Sequence, residues 1–176
     1  MPSEETGAPF AGATGKGTHA VLSPEPQESN DFLVAHAMRL VENHLRLTGR
    51  ALLPDGPAAG MARALYHAPF VVLAHGTGDD PLFTYANLAA QHRFELPWAE
   101  IVGMPSRFSA EPLARDERQR LLERVARDGY IDDYSGVRIT KSGRRFMIRR
   151  ATVWNLIDAH GDKMGQAATF SDWQAL

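Results

Sequence analysis

The chain has 176 residues, and its 44% hydrophobic and 23% charged side chains are typical of a single globular domain rather than of a disordered protein. With 19 Lys and Arg residues against 21 Asp and Glu residues, the net charge of −2 excludes a broad nucleic-acid-binding surface, which needs many cations to displace counterions from phosphates. The absence of cysteine excludes disulfides, thiolate metal sites, thiol nucleophiles and a cysteinyl photoadduct.

Residues 1–28 are rich in Gly, Ala, Ser, Thr, Pro and Glu. We expect them to form a disordered tail, because such a segment cannot bury enough apolar surface to offset the entropy of ordering. Glu4 and Glu5 stand where a signal peptide would carry positive charge, and the longest apolar run, residues 69–74, is far shorter than the roughly 20 residues of a membrane helix. The sequence therefore predicts a cytoplasmic protein with no membrane partner.

A helix is predicted over residues 30–49, with Asn30 as its N-cap and Gly49 as its end. Its apolar side chains recur at helical spacing and include Val34, Met38, Val41 and Leu45. This wide stripe has two candidate partners: the chain's own sheet, or the same four residues of a second copy of the chain in a homodimer.

The middle of the chain predicts a β-hairpin followed by helices. Residues 70–75 and 82–86 are rich in β-branched and aromatic side chains, and a run of turn formers separates them. Asn87 is the expected N-cap of the first of three helices, and the last of these covers residues 113–128.

The last third of the chain predicts three strands joined by turns, over residues 130–140, 144–157 and 163–170. Because the strands are segregated from the helices along the chain, the fold class is α+β with an antiparallel sheet. The two strands of the hairpin bring the expected total to five.

The position of Arg150 in the predicted strand raises the question of what pairs with its charge. Alternation along residues 144–157 places five side chains on one face: Phe146, Ile148, Arg150, Thr152 and Trp154. Because that face holds the large aromatic side chains, we expect it to face the core, and a buried guanidinium must be paired. The expected partner of Arg150 is Asp132, Asp133 or Glu111, and the alternative is an anionic ligand such as a carboxylate. Arg138 and Arg107 pose the same choice.

This order of elements is similar to that of a PAS domain. Residues 83–90 resemble the second PAS strand leading into its first short helix, with Asn87 at the position where the family usually has Asn. More narrowly, the chain resembles the MEKHLA domain, a PAS-like family, in four stretches: residues 70–76, 105–112, 132–139 and 150–156. The resemblance spans residues 33–171. It implies a PAS-like domain at 66–171, in which short helices on one face of a five-stranded sheet enclose a pocket.

The resemblance implies a sensory or regulatory module that binds a small molecule between the sheet and the helices. The alternatives are a homodimeric interaction module without a ligand and, third, a small enzyme. The candidate pocket residues are Tyr85, Asn87, His92, Arg107, Tyr134, Arg150 and Trp154. For the aromatic members of this set, core packing is the competing interpretation.

The residue types present limit which of the cofactors known for PAS domains this chain could bind. Haem needs an axial His, and of the seven His residues only His92 lies near the expected helices. Non-covalent flavin is the other class left open. No His pair has the i,i+4 spacing of a helical metal site, so no metal is expected. Because the sequence has neither a nucleophile elbow nor a dinucleotide-binding glycine motif, we do not expect an enzyme.

Overall fold

The computed structural model describes residues 22–111 and 115–176. Its helices are α1 (Val34–Thr48), α2 (Ala58–Tyr66), α3 (Leu88–Phe94), α4 (Trp98–Ile101) and α5 (Arg115–Asp128). Its strands are β1 (Val71–His75), β2 (Phe83–Ala86), β3 (Tyr130–Ile139), β4 (Arg145–Ile157), β5 (Lys163–Phe170) and β6 (Asp172–Ala175). Two 3₁₀ helices, Glu28–Leu33 and Ser106–Ser109, precede α1 and follow α4.

The strands form one antiparallel sheet in the order β2-β1-β5-β4-β3. The α+β class and the five predicted strands are confirmed, and β6 is an addition that the sequence did not predict. The 13-residue β4 is longer than the 8-residue β5 that pairs with its C-terminal half. After Ser171 the chain continues as β6 and pairs with the N-terminal half of β4, from Phe146 to Arg149.

Helices cover both faces of the sheet. The register aligns Leu73, Ala168 and Val153 on one face, under α5 and the second 3₁₀ helix. The opposite face packs against α1, where the indole N–H of Trp154 donates to the carbonyl of Leu40 at 3.2 Å. Part of the apolar stripe of α1, including Val41, therefore covers the chain's own sheet.

A β-bulge in β4 overturns the predicted alternation along that strand. In the register of β3 and β4, Gly136 pairs with Ile148 and Tyr134 pairs with Ala151. Two residues of β4, Arg149 and Arg150, therefore lie opposite one residue of β3, Ser135. Arg150 has a φ of +49°, and the extra residue reverses the side-chain parity beyond it.

The bulge separates the five side chains that the alternation placed on one face. Phe146 and Ile148 face α3 and α5, whereas Thr152 and Trp154 face α1. Arg150 faces solvent with 81% of its side chain exposed, so its predicted burial was wrong.

The partners of Arg150 also differ from the prediction. Arg150 pairs with Asp172, the first residue of β6. Asp132 pairs instead with Arg50, and Glu111 pairs with Arg145.

The start of the first helix also differs from the prediction. Asp31, Phe32 and Leu33 have φ values between 48° and 51°, so the backbone is left-handed there and α1 begins only at Val34. Asn30 caps no α-helix; its side chain bonds the N–H of Gln27 and the carbonyl of Glu25. The predicted end at Gly49 is confirmed by a φ of 71° and a hydrogen bond from its N–H to the carbonyl of Leu45 at 2.9 Å.

The predicted disordered tail falls mostly outside the described residues. Its disorder stays a prediction for residues 1–21. Residues 22–27 lie against the domain, where the carbonyl of Ser23 accepts a hydrogen bond from the indole of Trp98 at 2.9 Å. Within the described residues, no helix has both the length and the apolarity that crossing a membrane requires.

Candidate ligand-binding site

A cavity of about 60 Å³ lies between the sheet and the helices α3 and α5, and we call it the central cavity. It has room for roughly four to six water-sized volumes at about 10–15 Å³ each. Most of its wall is apolar, formed by Leu73, Phe83, Phe94, Leu121, Ile148, Val153 and Phe170. A small, largely apolar molecule would therefore match its shape and surface.

Two arginines form the charged part of this wall. Arg118 of α5 is 9% exposed and Arg138 of β3 is 8% exposed. The guanidinium of Arg118 donates to Ser106 Oγ at 2.6 Å, and that of Arg138 donates to Tyr134 Oη at 3.0 Å and to the carbonyl of Val137 at 2.9 Å. In the part of the chain that the structure describes, neither forms a salt bridge with a carboxylate.

Arg118 was not identified from the sequence, although a signal was present. Arg118, Leu121 and Val125 are the three buried residues of α5, at positions i, i+3 and i+7 of one helix face. An arginine thus stands at an apolar position of an amphipathic helix. Burial lowers the pKa of Arg118 to about 10, and the charge of Arg138 acts in the same direction, so the Arg118 guanidinium remains cationic at neutral pH.

The cavity wall also contains a buried glutamine with an unused acceptor. Gln166 of β5 is 2% exposed, and its amide nitrogen donates to the carbonyl of Leu122 and to Asn155 Oδ1. Among the described residues its Oε1 has no hydrogen-bond partner. A buried oxygen of this kind normally accepts a bond from water or a ligand.

His75, at the end of β1, is the remaining titratable group of the wall. Its Nδ1–H donates to the carbonyl of Gly76 at 2.7 Å. Burial, with a smaller effect of the Arg118 and Lys163 charges, lowers the pKa of His75 to about 4 despite the opposing hydrogen bond to Gly76. The imidazole is therefore neutral near pH 7, which leaves the two guanidinium groups as the charges of the cavity.

The structure brings only one of the seven candidate pocket residues, Tyr134, to the central cavity. Tyr85 and Trp154 face α1, where Tyr85 lies 5.6 Å from the ring of His36. The side chain of His92 is exposed, and Arg107 pairs with Asp80 at 2.9 Å outside the cavity. For these residues, core packing and surface pairing replace the predicted contact with a ligand.

Asn87, another candidate, is fully buried but its side chain is saturated by backbone groups. Its Oδ1 accepts from the N–H groups of Val72 and Ala90, and its Nδ2 donates to the carbonyls of Leu65 and Phe70. The predicted cap of α3 is confirmed, and the same side chain also ties that helix to β1 and α2. No donor or acceptor is left over for a ligand.

The central cavity is far smaller than haem or flavin, and the exposed His92 lies outside it, so neither group fits the central cavity. In residues 22–111 and 115–176, no cluster of three His, Asp or Glu side chains could hold a metal ion.

The predicted dimer stripe does not form one free surface. Val41 is 5% exposed and packs in the core of its own chain, so it does not lie on a free surface of α1. Val34 and Met38 are half-buried, and Leu45 is 49% exposed. The homodimer itself stays a prediction.

The exposed position of Arg150 gives a test of the bulge. Arg150→Gly should leave the free energy of unfolding within about 0.5 kcal/mol of the wild-type value, because glycine adopts a positive φ without strain and the exposed ion pair contributes little. Arg149→Gly, at the neighbouring exposed position, should cost about 1 kcal/mol, since glycine weakens an extended strand. Urea denaturation measures both. A loss of about 3–5 kcal/mol for Arg150→Gly would instead indicate a buried, paired arginine.

Comparisons with known proteins agree with this architecture. The family model of the MEKHLA domain matches residues 34–175. The PAS domain of a protein from Colwellia psychrerythraea superimposes with a TM-score of 0.56 at 12% identity, covering 64% of this chain and 93% of that one. No curated protein matches the chain.

Two further solved structures share the fold. An RNA-binding Light-Oxygen-Voltage receptor gives a TM-score of 0.57 at 18% identity, over 70% of this chain and 36% of that one. A variant of Vivid gives 0.52 at 16% identity, over 73% and 95%. The predicted PAS-like fold is confirmed. The chain belongs to the MEKHLA domain family.

Proposed function

We propose that this chain is a cytoplasmic sensory module that binds a small molecule in the central cavity. The observation that carries the proposal is the pair of buried guanidinium groups, Arg118 and Arg138, with no carboxylate partner among the described residues. A buried charge without a partner destabilises a fold, so a cavity wall of purely structural purpose would not carry two of them. Binding sites are where such costs are normally found.

The competing function is a homodimeric interaction module with no ligand. It has less support, because α1 uses most of its apolar stripe to cover its own sheet and leaves mainly Leu45 exposed. The two functions differ in whether the purified protein carries a bound molecule.

Native mass spectrometry of the full chain, after gentle desalting, tests the proposal. We expect a retained small molecule in the wild-type protein. Ala168→Leu should abolish retention, because Ala168 lines the central cavity and a leucine there would fill it. Ala126→Leu is the matched control, since Ala126 lies on the exposed side of α5.

Retention that survives Ala168→Leu in a folded protein would show that the molecule binds elsewhere. A wild-type chain that retains no mass, and whose melting temperature does not respond to a set of small metabolites, would favour the ligand-free module. Measurement of the oligomeric state by light scattering would then test the homodimer directly. Fractionation of cells that express the tagged chain tests the cytoplasmic location.

A further inference from the structure

The guanidinium groups of the central cavity have unused hydrogen-bond donors. A guanidinium carries five N–H donors. Among the described residues, Arg118 uses them on Ser106 Oγ alone, and Arg138 uses them on Tyr134 Oη and the carbonyl of Val137. Both residues are about nine-tenths buried and line the central cavity, so a molecule in the cavity can reach the remaining donors.

The other charges near the cavity do not supply the missing anion. In the described part of the chain, Asp80 is the carboxylate whose charge acts on Arg118, and its two oxygens are bound by Arg107 at 2.9 and 3.3 Å. Its side chain is 48% exposed, so solvent screens its charge. Arg118 and Arg138 are like charges that face one cavity. A single anion between them would offset their mutual repulsion and accept hydrogen bonds from their unused donors.

The remainder of the wall defines what the anion must carry. Leu73, Phe83 and Ile148 present apolar surface on the sheet side, and Leu121 presents it from α5. A volume of about 60 Å³ limits the ligand to roughly four to six non-hydrogen atoms, taking about 10–15 Å³ for each water-sized volume. A phosphate would meet the charges but leave the apolar wall without a partner.

We propose that the central cavity binds a short aliphatic carboxylate, with the carboxylate between Arg118 and Arg138 and the alkyl chain against Leu73, Phe83 and Ile148. This inference rests on the proposed function, since it names the ligand class of the same cavity. Because Arg118 belongs to α5 and Arg138 to β3, the bound carboxylate ties the helix to the sheet. That tie is a direct way for binding to change the position or the dynamics of α5.

Calorimetric titration of the full chain tests the ligand class with three probes. Butyrate supplies the carboxylate and the alkyl chain, butyramide supplies the same shape without charge, and inorganic phosphate supplies charge without an alkyl chain. We expect butyrate to bind in the micromolar to millimolar range, as its size allows. Butyramide and phosphate should each bind at least about tenfold more weakly.

Substitutions on α5 assign the site. Arg118→Met should weaken butyrate binding by about 10- to 100-fold, the usual effect of losing hydrogen bonds to a charged group. Arg120→Met is the matched control, because Arg120 lies on the exposed side of the same helix and should bind butyrate like the wild type. Thermal melting verifies that each variant is folded, and Arg138→Met replaces Arg118→Met if the latter does not fold.

Three results would overturn the carboxylate assignment: butyramide or phosphate binding as tightly as butyrate, unchanged butyrate affinity in folded Arg118→Met, or no butyrate binding at all. Any of these, combined with a retained mass that Ala168→Leu abolishes, would leave the sensory cavity standing with a ligand of another class. The two proposals can therefore fail separately.

Discussion

Asn87→Ala is expected to lower the free energy of unfolding by about 3–5 kcal/mol, the sum of roughly 1 kcal/mol for each of four lost bonds. The fully buried side chain bonds the N–H groups of Val72 and Ala90 and the carbonyls of Leu65 and Phe70 at 2.8 to 3.2 Å. Alanine leaves all four backbone groups without a partner away from water. The effect is large because one side chain joins α2, β1 and α3.

Urea denaturation of the wild type and of Asn87→Ala measures this loss. Asn30→Ala is the control, because Asn30 also bonds two backbone groups but near the surface, and its loss should cost less than about 1 kcal/mol. Ligand retention per folded molecule should be unchanged in Asn87→Ala. If Asn87→Ala had wild-type stability but no longer retained the ligand, Asn87 would be a pocket residue.

Acidification from pH 7 to pH 5 is expected to remove about 2 kcal/mol of stability for each of two partly buried histidines, His36 and His75. Burial lowers the pKa of His36 to about 4, with the charge of Arg39 acting in the same direction, and burial likewise lowers the pKa of His75 to about 4. In the unfolded chain both residues titrate near the ordinary value of 6.5.

The direction of this effect follows from proton binding. Between pH 6.5 and pH 4 the unfolded chain binds protons at both imidazoles and the folded chain does not. Lower pH therefore stabilises the unfolded state, and the contribution is lost as the pH falls through this window. It is fully present only above the unfolded value of 6.5.

Urea denaturation at pH 7, 6 and 5 tests the effect. The double substitution His36→Phe with His75→Gln should flatten the pH dependence by about 4 kcal/mol over this range, since neither new side chain titrates. His92→Gln is the control, because His92 is exposed; it should keep the wild-type slope. An unchanged slope in the double variant would mean that other groups cause the acid sensitivity.

Local patterns in the sequence were sufficient for the order of the elements. Asn87 and Gly49 carry the capping chemistry that their positions require, and both boundaries are where the sequence predicts them. The strands of the last third begin and end within one residue of the predicted limits. These features depend on neighbouring residues, so they could be derived without the tertiary structure.

The sequence-based predictions were wrong or incomplete where the structure depends on which strands pair with one another. The bulge at Arg150 depends on how β4 aligns with β3, and one extra residue exchanges the faces of every side chain beyond it. Similarly, β6 exists because β4 extends past β5 and offers unpaired backbone groups to the returning chain. A single strand read alone contains no information about either event.

The sequence by itself determined the fold family and the succession of strands and helices, because turn residues and apolar periodicity act over a few neighbouring positions. Only the tertiary structure decided which charges share a cavity. Arg118 and Arg138 come from a helix and a strand, and both line the central cavity because α5 packs on the sheet. Burial converts two ordinary surface residue types into the charged wall of a cavity, and burial is a property of the packed chain rather than of any segment.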